Sequence, residues 1–274
     1  MLYRDLIGLC RESGGKLSMI GRTETGLPIP CLQKGDPARS TLIFGGIHAR
    51  EHITVELLLA LWKAFEGDMT LVPCLNVDGL ILATEGIGAL GLSAREAKQL
   101  IAVNGGSEDF SLWKANARAV DLNVNFDAGW GTGRQNVFAP APANYVGPRP
   151  ASEAETRAAV ALMGQGSYAA VLAYHSKGEE IYYGFGASDA GYGTGKLLAA
   201  ELGYALKKPQ DSAGGLKDYW IKTTGRAGLT IEVGKDELPH PYPRTQLPAL
   251  IDQHKRVLPL LNALNGRLWT KSIL

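Results

Sequence analysis

Short apolar runs rich in β-branched residues alternate with segments of helical period along this chain, and that alternation leaves few folds open to it. Strands are expected over Thr41–Ile47, Thr70–Asn76, Ala169–His175, Glu180–Phe185 and Gly228–Val233. Helices are expected over Ile53–Glu66, Ser93–Ala102, Ser152–Met163, Asp189–Lys207 and Gln246–Leu264, and the opening MLYRDLIGLCRESGG reads as a first amphipathic helix. Ser152 and Glu155 spell S-x-x-E, which predicts a capping box at a helix start. The run Ala139–Pro150, with four prolines, predicts a loop. Strands alternating with helices imply a mostly parallel or mixed sheet covered on both faces, with ligands at the carboxyl ends of the strands.

Composition removes several function classes. Lys+Arg is 28 and Asp+Glu 27, so the chain has no basic footprint for nucleic acid and no polybasic face for a membrane. Its longest apolar stretch, around Leu57 to Trp62, is too short to span a bilayer. Arg4, Asp5, Arg11 and Glu12 interrupt any apolar leader, so a cytoplasmic location is expected. No repeat, low-complexity tract or linker divides the chain, which favours one domain. Cys10, Cys31 and Cys74 are widely separated and lack C-x-x-C spacing; they are expected in the core rather than on a metal, as suits a reducing compartment.

Reactive side chains follow three of the expected strands. His48, Ala49, Arg50 and Glu51 come directly after TLIFGGI, His175 ends AAVLAYH, and Glu232 lies within GLTIEV. Only five histidines occur in the chain, so two at strand ends are informative. Zinc takes nitrogen and oxygen donors and, in catalytic sites, leaves one position to water. His48 and Glu51 can converge on one ion if the strand ends at His48 and a helix begins near Glu51, a turn that Gly45 and Gly46 permit. His175 from a neighbouring strand supplies a third donor, and Glu232 is then free to act as general base. A glutamate in so apolar a strand is costly to bury unless it is paired or has a task. The same residues also spell H-x-x-E-H, the inverted zincin signature, in which His48 and His52 are the ligands and Glu51 the base. That motif needs both histidines one turn apart in a helix.

These residues resemble the zinc carboxypeptidase family of the funnelin type. GGIHAREH is similar to the family's first zinc motif, WKANARAVDLNVNFDAGWG to its R-G-V-D-L-N-R-N-F-D-x-G-W block, and NYVGPRPASEAET to its Y-x-G-x-x-P-x-S-E-x-E-T block. LAYHSKGEEIYY resembles the second zinc motif and TIEVG the strand of the catalytic glutamate. The likeness covers roughly residues 40 to 235, five blocks in the family's order. It implies one α/β domain over 1–274, with a central mixed, mostly parallel sheet of about eight strands flanked by helices. It also implies one zinc ion held by His48, Glu51 and His175, with Glu232 activating water. Arg118 matches the arginine at the developing oxyanion, and Arg50 and Asn123 match substrate contacts.

Two departures bear on the substrate. The family's N-R-N triplet, whose arginine clamps a terminal carboxylate, reads Asn123-Val124-Asn125 here, so the usual bidentate partner is absent. The family's mobile tyrosine falls on Gln210. Lys217, one residue before Asp218, takes the position at the base of the specificity pocket, where a cation favours an anionic group. WKANARAVDLNVNF and GKDELPHPYP resemble the bacterial branch of γ-D-glutamyl-L-diamino acid endopeptidases and murein peptide amidases. That branch implies a murein stem peptide as substrate, cut at its γ-D-glutamyl–diaminopimelate bond. An ordinary metallocarboxypeptidase with its clamp drawn from Lys217 or Arg226 is the second expectation, and a peptide-binding module without turnover the third. His52 is expected to be structural and His254 to lie on the surface of the last helix; a place for His240, in LPHPYP, at the rim of the site is the lesser alternative for that residue. Oligomeric state is left open.

Overall fold

The strands expected at the carboxyl-end site are the middle of a larger sheet. In the computed structural model, which describes residues 3–272, they are β3 (Thr41–Phe44), β4 (Met69–Val72), β5 (Ala170–His175), β6 (Glu180–Tyr183) and β8 (Ala227–Glu232). A hairpin of β1 (Lys16–Arg22) and β2 (Pro28–Lys34) extends one edge, and β7 (Ala205–Lys207) closes the other. Among the described residues the sheet has eight strands, in the order β1-β2-β4-β3-β5-β8-β6-β7. The pairs β3/β4, β3/β5, β5/β8 and β6/β7 are parallel; β1/β2, β2/β4 and β6/β8 are antiparallel. The expected mixed, mostly parallel α/β architecture is therefore what the chain adopts.

Side chains alternate across the central strands into two layers. Leu42, Phe44, Val171 and Ala173 pack with α5 (Ala154–Gln165) and α7 (Leu216–Thr224) through Ala159, Met163, Leu216 and Trp220. Ile43, Leu172, Tyr174 and Ile231 pack on the opposite face with α2 (Ile53–Ala64), α6 (Tyr192–Leu202) and α9 (Val257–Ser272). α2 is buried nearly all round, as its run of leucines requires. The remaining helices are α1 (Tyr3–Glu12), α3 (Val77–Glu85), α4 (Ala94–Val103) and α8 (Leu247–His254). No helix among the described residues is long and apolar enough to cross a membrane. All three cysteines are buried and unbridged.

Several expected boundaries move, each for a local reason. The strand from Thr41 stops at Phe44 because Gly45 and Gly46 turn the chain. The helix expected over Asp189–Lys207 ends at Leu202, where Gly203 takes φ 74° and frees residues 205–207 to pair as an edge strand. The helix expected over Gln246–Leu264 is two, α8 and α9. The capping box expected at Ser152 does not form: Glu153 is the N-cap of α5, and the Ser152 hydroxyl donates to Glu153 Oε1 (2.6 Å) instead. A complete capping box stands at Ser93 and Glu96, at the start of α4.

His254 is a further correction. It is fully buried at the end of α8, its Nε2 is 3.0 Å from the Tyr204 hydroxyl, and its ring lies against Tyr174. Burial pushes its pKa down to about 4, so it folds as a neutral base. The unfolded chain binds the extra proton below its ordinary value, so the stability this site contributes is intact above about pH 6.5 and declines as pH falls toward 4. The stability difference between the wild type and His254→Gln should therefore change by about 2 kcal/mol between pH 7 and pH 5. Urea unfolding at the two pH values checks this, and a pH-independent difference contradicts it.

Candidate metal centre and cleft

The Gly45-Gly46 turn aims the first motif. Gly45 N–H donates to Val72 O (2.9 Å) and Gly46 N–H to Thr54 Oγ1 (3.0 Å), so the chain folds back against the start of α2 as soon as it leaves the sheet. Gly46 has φ +53°, and a Cβ there would meet Cys74 Sγ at 2.8 Å and Val55 Cγ2 at 2.9 Å. Both the left-handed backbone and the space demand glycine. His48 follows in extended conformation (φ −100°, ψ 134°), and a 3₁₀ turn over Ala49–Glu51 presents Glu51 beside it. Ala49 and Arg50 N–H groups donate to the carbonyls of Lys114 and Trp113, which ties this turn to the next block.

His175 arrives from the end of β5. His48 Nδ1 lies 2.8 Å from Glu51 Oε1, and His175 Nδ1 lies 2.9 Å from Glu51 Oε2 and 3.0 Å from His48 Nδ1. All three residues are buried. Two imidazole nitrogens and a carboxylate thus turn their lone pairs to one point, the donor set a divalent metal such as zinc takes. Burial opposes ionisation of Glu51, but His48 and His175 outweigh it and hold the carboxyl well below its usual range. His52 stays outside the cluster. It opens α2, and its Nδ1 is buried without a partner. With His48 extended and outside the helix, the inverted zincin geometry is not formed.

Asp121 supports the cluster from behind. This buried carboxylate puts Oδ1 3.2 Å from His48 Nε2 and Oδ2 3.0 Å from Lys114 Nζ, and accepts backbone N–H bonds from Asn123 and Asn144. Burial raises its pKa, but Lys114 and His48 prevail, and it stays well below the carboxylate range. An anion at Nε2 favours the tautomer that leaves the Nδ1 lone pair for a metal. The sequence reading missed both Asp121 and Lys114. The signal was the charged pair bracketing KANARAVD, directly after Trp113 and just before the Asn123-Val124-Asn125 turn.

Glu232 ends β8 in register with His175. Burial, reinforced by Glu51 and opposed by His175, pushes its carboxyl up to about 7. It lines a cleft of about 530 Å³ with Lys114, Asn123, Val124, Arg134, Asn144, Tyr182, Gln210, Lys217 and Thr230. Of the residues singled out in the sequence, the cleft brings together Glu232, Asn123, Gln210 and Lys217. Lys217 is buried, and its Nζ donates to Gly184 O and Asp218 Oδ1, both at 2.6 Å. Arg50 does not line the cleft. Its Nε is buried without a partner, and its charge, with burial, depresses the pKa of half-buried His240 to about 4.

The structure does not bring Arg118 to the cleft. Asn116 and Val120 close a tight turn with Arg118 at its tip: Asn116 N–H donates to Val120 O (2.9 Å), and Asn116 Oδ1 accepts from Arg118 and Val120 N–H. The half-exposed guanidinium faces Glu24 (3.4 Å) and Glu153 (3.8 Å) instead. It balances a carboxylate group of Glu24, Glu153 and Glu155, the last pushed up to about 8 by burial. Lys114, from the same block, does share the cleft with Glu232. Arg226 is also elsewhere, donating to Tyr168 O beside Trp220.

Comparison with known proteins agrees with this geometry. The zinc carboxypeptidase family model matches residues 15–255. The γ-D-glutamyl-L-diamino acid endopeptidase 1 of Lysinibacillus sphaericus is 30% identical over 249 residues, 81% of this chain. The chain spans 61% of that relative's length. The fold is shared with bovine thrombin-activatable fibrinolysis inhibitor (TM-score 0.78, 16% identity, 97% of each chain covered). It is shared too with the murein-tripeptide amidase MpaA of Escherichia coli O157 (TM-score 0.61, 23% identity, 92% of this chain and 95% of that one).

Two outcomes follow for metal content, measured by atomic absorption after dialysis. His175→Ala should lose stoichiometric zinc while His52→Ala keeps it; the reverse would restore the inverted zincin. Asp121→Asn should weaken zinc binding by roughly 10- to 100-fold, as measured by chelator competition, by releasing His48 from its tautomer.

Proposed function

Because the chain belongs to the zinc carboxypeptidase family, we propose that it is a zinc-dependent peptidase acting on the γ-D-glutamyl–diamino acid bond of peptidoglycan stem peptides, diaminopimelate being the diamino acid. The observation that carries this reading is the cleft itself. It is lined by Glu232, the strand partner of His175, by uncharged Val124, which takes the place of the family's clamp arginine in the sequence, and by a buried cation, Lys217. A relative named for that bond, 30% identical, supports it.

His48, Glu51 and His175 would hold the ion. A zinc ion held there would supply Lewis acidity toward the scissile carbonyl and toward a bound water, whose pKa such ions lower to about 7. Glu232 takes the proton from the attacking water and delivers it to the leaving amine, a task its carboxyl near neutrality suits. Lys114, rather than Arg118, faces the negative charge that develops on the carbonyl oxygen. It is held by Asp121 Oδ2 and by Asn144 Oδ1 at 3.4 Å, so its position is fixed before the reaction begins. Asn123 binds the substrate from the cleft wall, and Arg50 from outside it.

Glu232→Gln should retain zinc and lose roughly 10²- to 10⁴-fold in kcat. Mass spectrometry of products from defined muropeptides, tri- and tetrapeptide forms side by side, identifies the bond. Inert muropeptides together with cleavage of ordinary peptides that C-terminal amidation abolishes would replace this reading with that of a common carboxypeptidase.

A further inference from the structure

The cleft carries two cations that the metal centre does not use, at different depths. Lys217 lies at the base, where an ammonium has three donors and two are spent on Gly184 O and Asp218 Oδ1. The third is left for what enters the cleft. Asp218 is itself held in place, its other oxygen accepting the Gly215 N–H (3.2 Å) at the first turn of α7. Tyr182 and Thr230, cross-strand partners on β6 and β8, add hydroxyls to the same cleft.

Arg134 lies at the rim. Its side chain is 81% exposed, and its guanidinium is 3.7 Å from Asp211, too far for a hydrogen bond. Its backbone N–H, however, donates to Asp211 O (3.1 Å), which fastens this turn to the segment 209–213 that forms the facing lip. The guanidinium is thus anchored at its root and only loosely paired at its tip. Asn123, on the wall below, uses Oδ1 to accept the Leu216 N–H (3.1 Å), and its Nδ2 donors remain for the cleft. Val124 beside it offers no charge.

The structure assigns Arg134 as the replacement carboxylate clamp, so that the cleft reads two carboxylates on the leaving amino acid. Lys217 takes the carboxylate at the far end of the side chain. Arg134 closes over the rim, with Asn123, on the carboxylate next to the scissile amide. The ligand class is an amino acid with two well-separated carboxylates, which an α-amino acid bearing only an amine on its side chain does not match. This rests on the peptidase reading above.

The test uses the zinc-loaded protein and γ-D-glutamyl-diaminopimelate in two forms, one with the carboxylate beside the scissile bond free and one with it amidated. Wild type should prefer the free form. Arg134→Gln should raise KM for the free form by roughly 10- to 100-fold, with the loss falling on KM rather than kcat, and erase the preference; Arg134→Lys should restore part of it. Replacing diaminopimelate by lysine, which lacks the distal carboxylate, should weaken calorimetric binding of the free amino acid to the wild type by a comparable factor. An unchanged free-to-amidated ratio in Arg134→Gln overturns the clamp, and equal binding of lysine and diaminopimelate overturns the two-carboxylate reading. If no γ-D-glutamyl substrate is cut, the peptidase reading fails on its own; the clamp is then read from the same ratio on an ordinary peptide with a free or amidated C-terminus.

Discussion

The buried Asp121 carboxylate is the interaction on which the site depends. It joins His48, Lys114 and the backbone of Asn123 and Asn144, and so connects the metal cluster to the cleft wall. Burying a lone carboxylate is costly, and here Lys114 and two backbone N–H groups offset the cost, with the His48 ring 3.2 Å away. The consequence is geometric. His48 cannot rotate without losing Asp121, Lys114 cannot leave without stranding a buried charge, and the 3₁₀ turn that carries Asn123 starts from Asp121 itself. One side chain therefore fixes a candidate metal donor, a cation and the cleft residue Asn123 at once.

The metal cluster also depends on the parallel core. β3 and β5 pair in register, as do β5 and β8, so the chain leaves the sheet at one end in three adjacent places. His175 and Glu232 face each other because they close the last pair of that register. The first motif reaches the same point only because Gly46 accepts a left-handed backbone against Cys74 and Val55. Donors 127 residues apart in the chain are then held by a strand end and by a turn hydrogen-bonded against the sheet and α2, which suits a centre that must keep its shape.

Much of this was legible in the sequence, and what was not has identifiable causes. The central strands, the long helices and the residues His48, Glu51, His175 and Glu232 stood out because apolar periodicity is strong there and histidine is scarce. The β1/β2 hairpin did not, since its edge strand is mostly exposed and its partner carries two prolines. α3 is short and contains a glycine, and it is held by the Asn76 side chain accepting the Gly79 N–H, a contact that propensity does not see. Arg118 and Lys114 lie four residues apart in one block, and either could have faced the cleft. The choice was made by the tight turn at Asn116, a tertiary feature with Ala119 at positive φ (59°). Arg134 was invisible for another reason: one arginine among 28 basic residues acquires meaning only when two loops meet around it.

On the proposed reading, the placement of charge lets one scaffold change substrate without rebuilding its metal centre. A clamp arginine beside Asn123 would sit deep in the wall and hold any free terminal carboxylate in one position. With Val124 there, that position on the wall is neutral, and the cations besides Lys114 are divided between the base, at Lys217, and the rim, at Arg134. A deep cation such as Lys217 must keep a permanent counter-ion, and it keeps Asp218. A rim cation needs none, and Arg134 touches Asp211 only loosely. The buried one can therefore select by position, since it does not move, while the exposed one can admit a ligand and then close on it. Selectivity in such a cleft comes from the spacing between two anionic groups rather than from the presence of one.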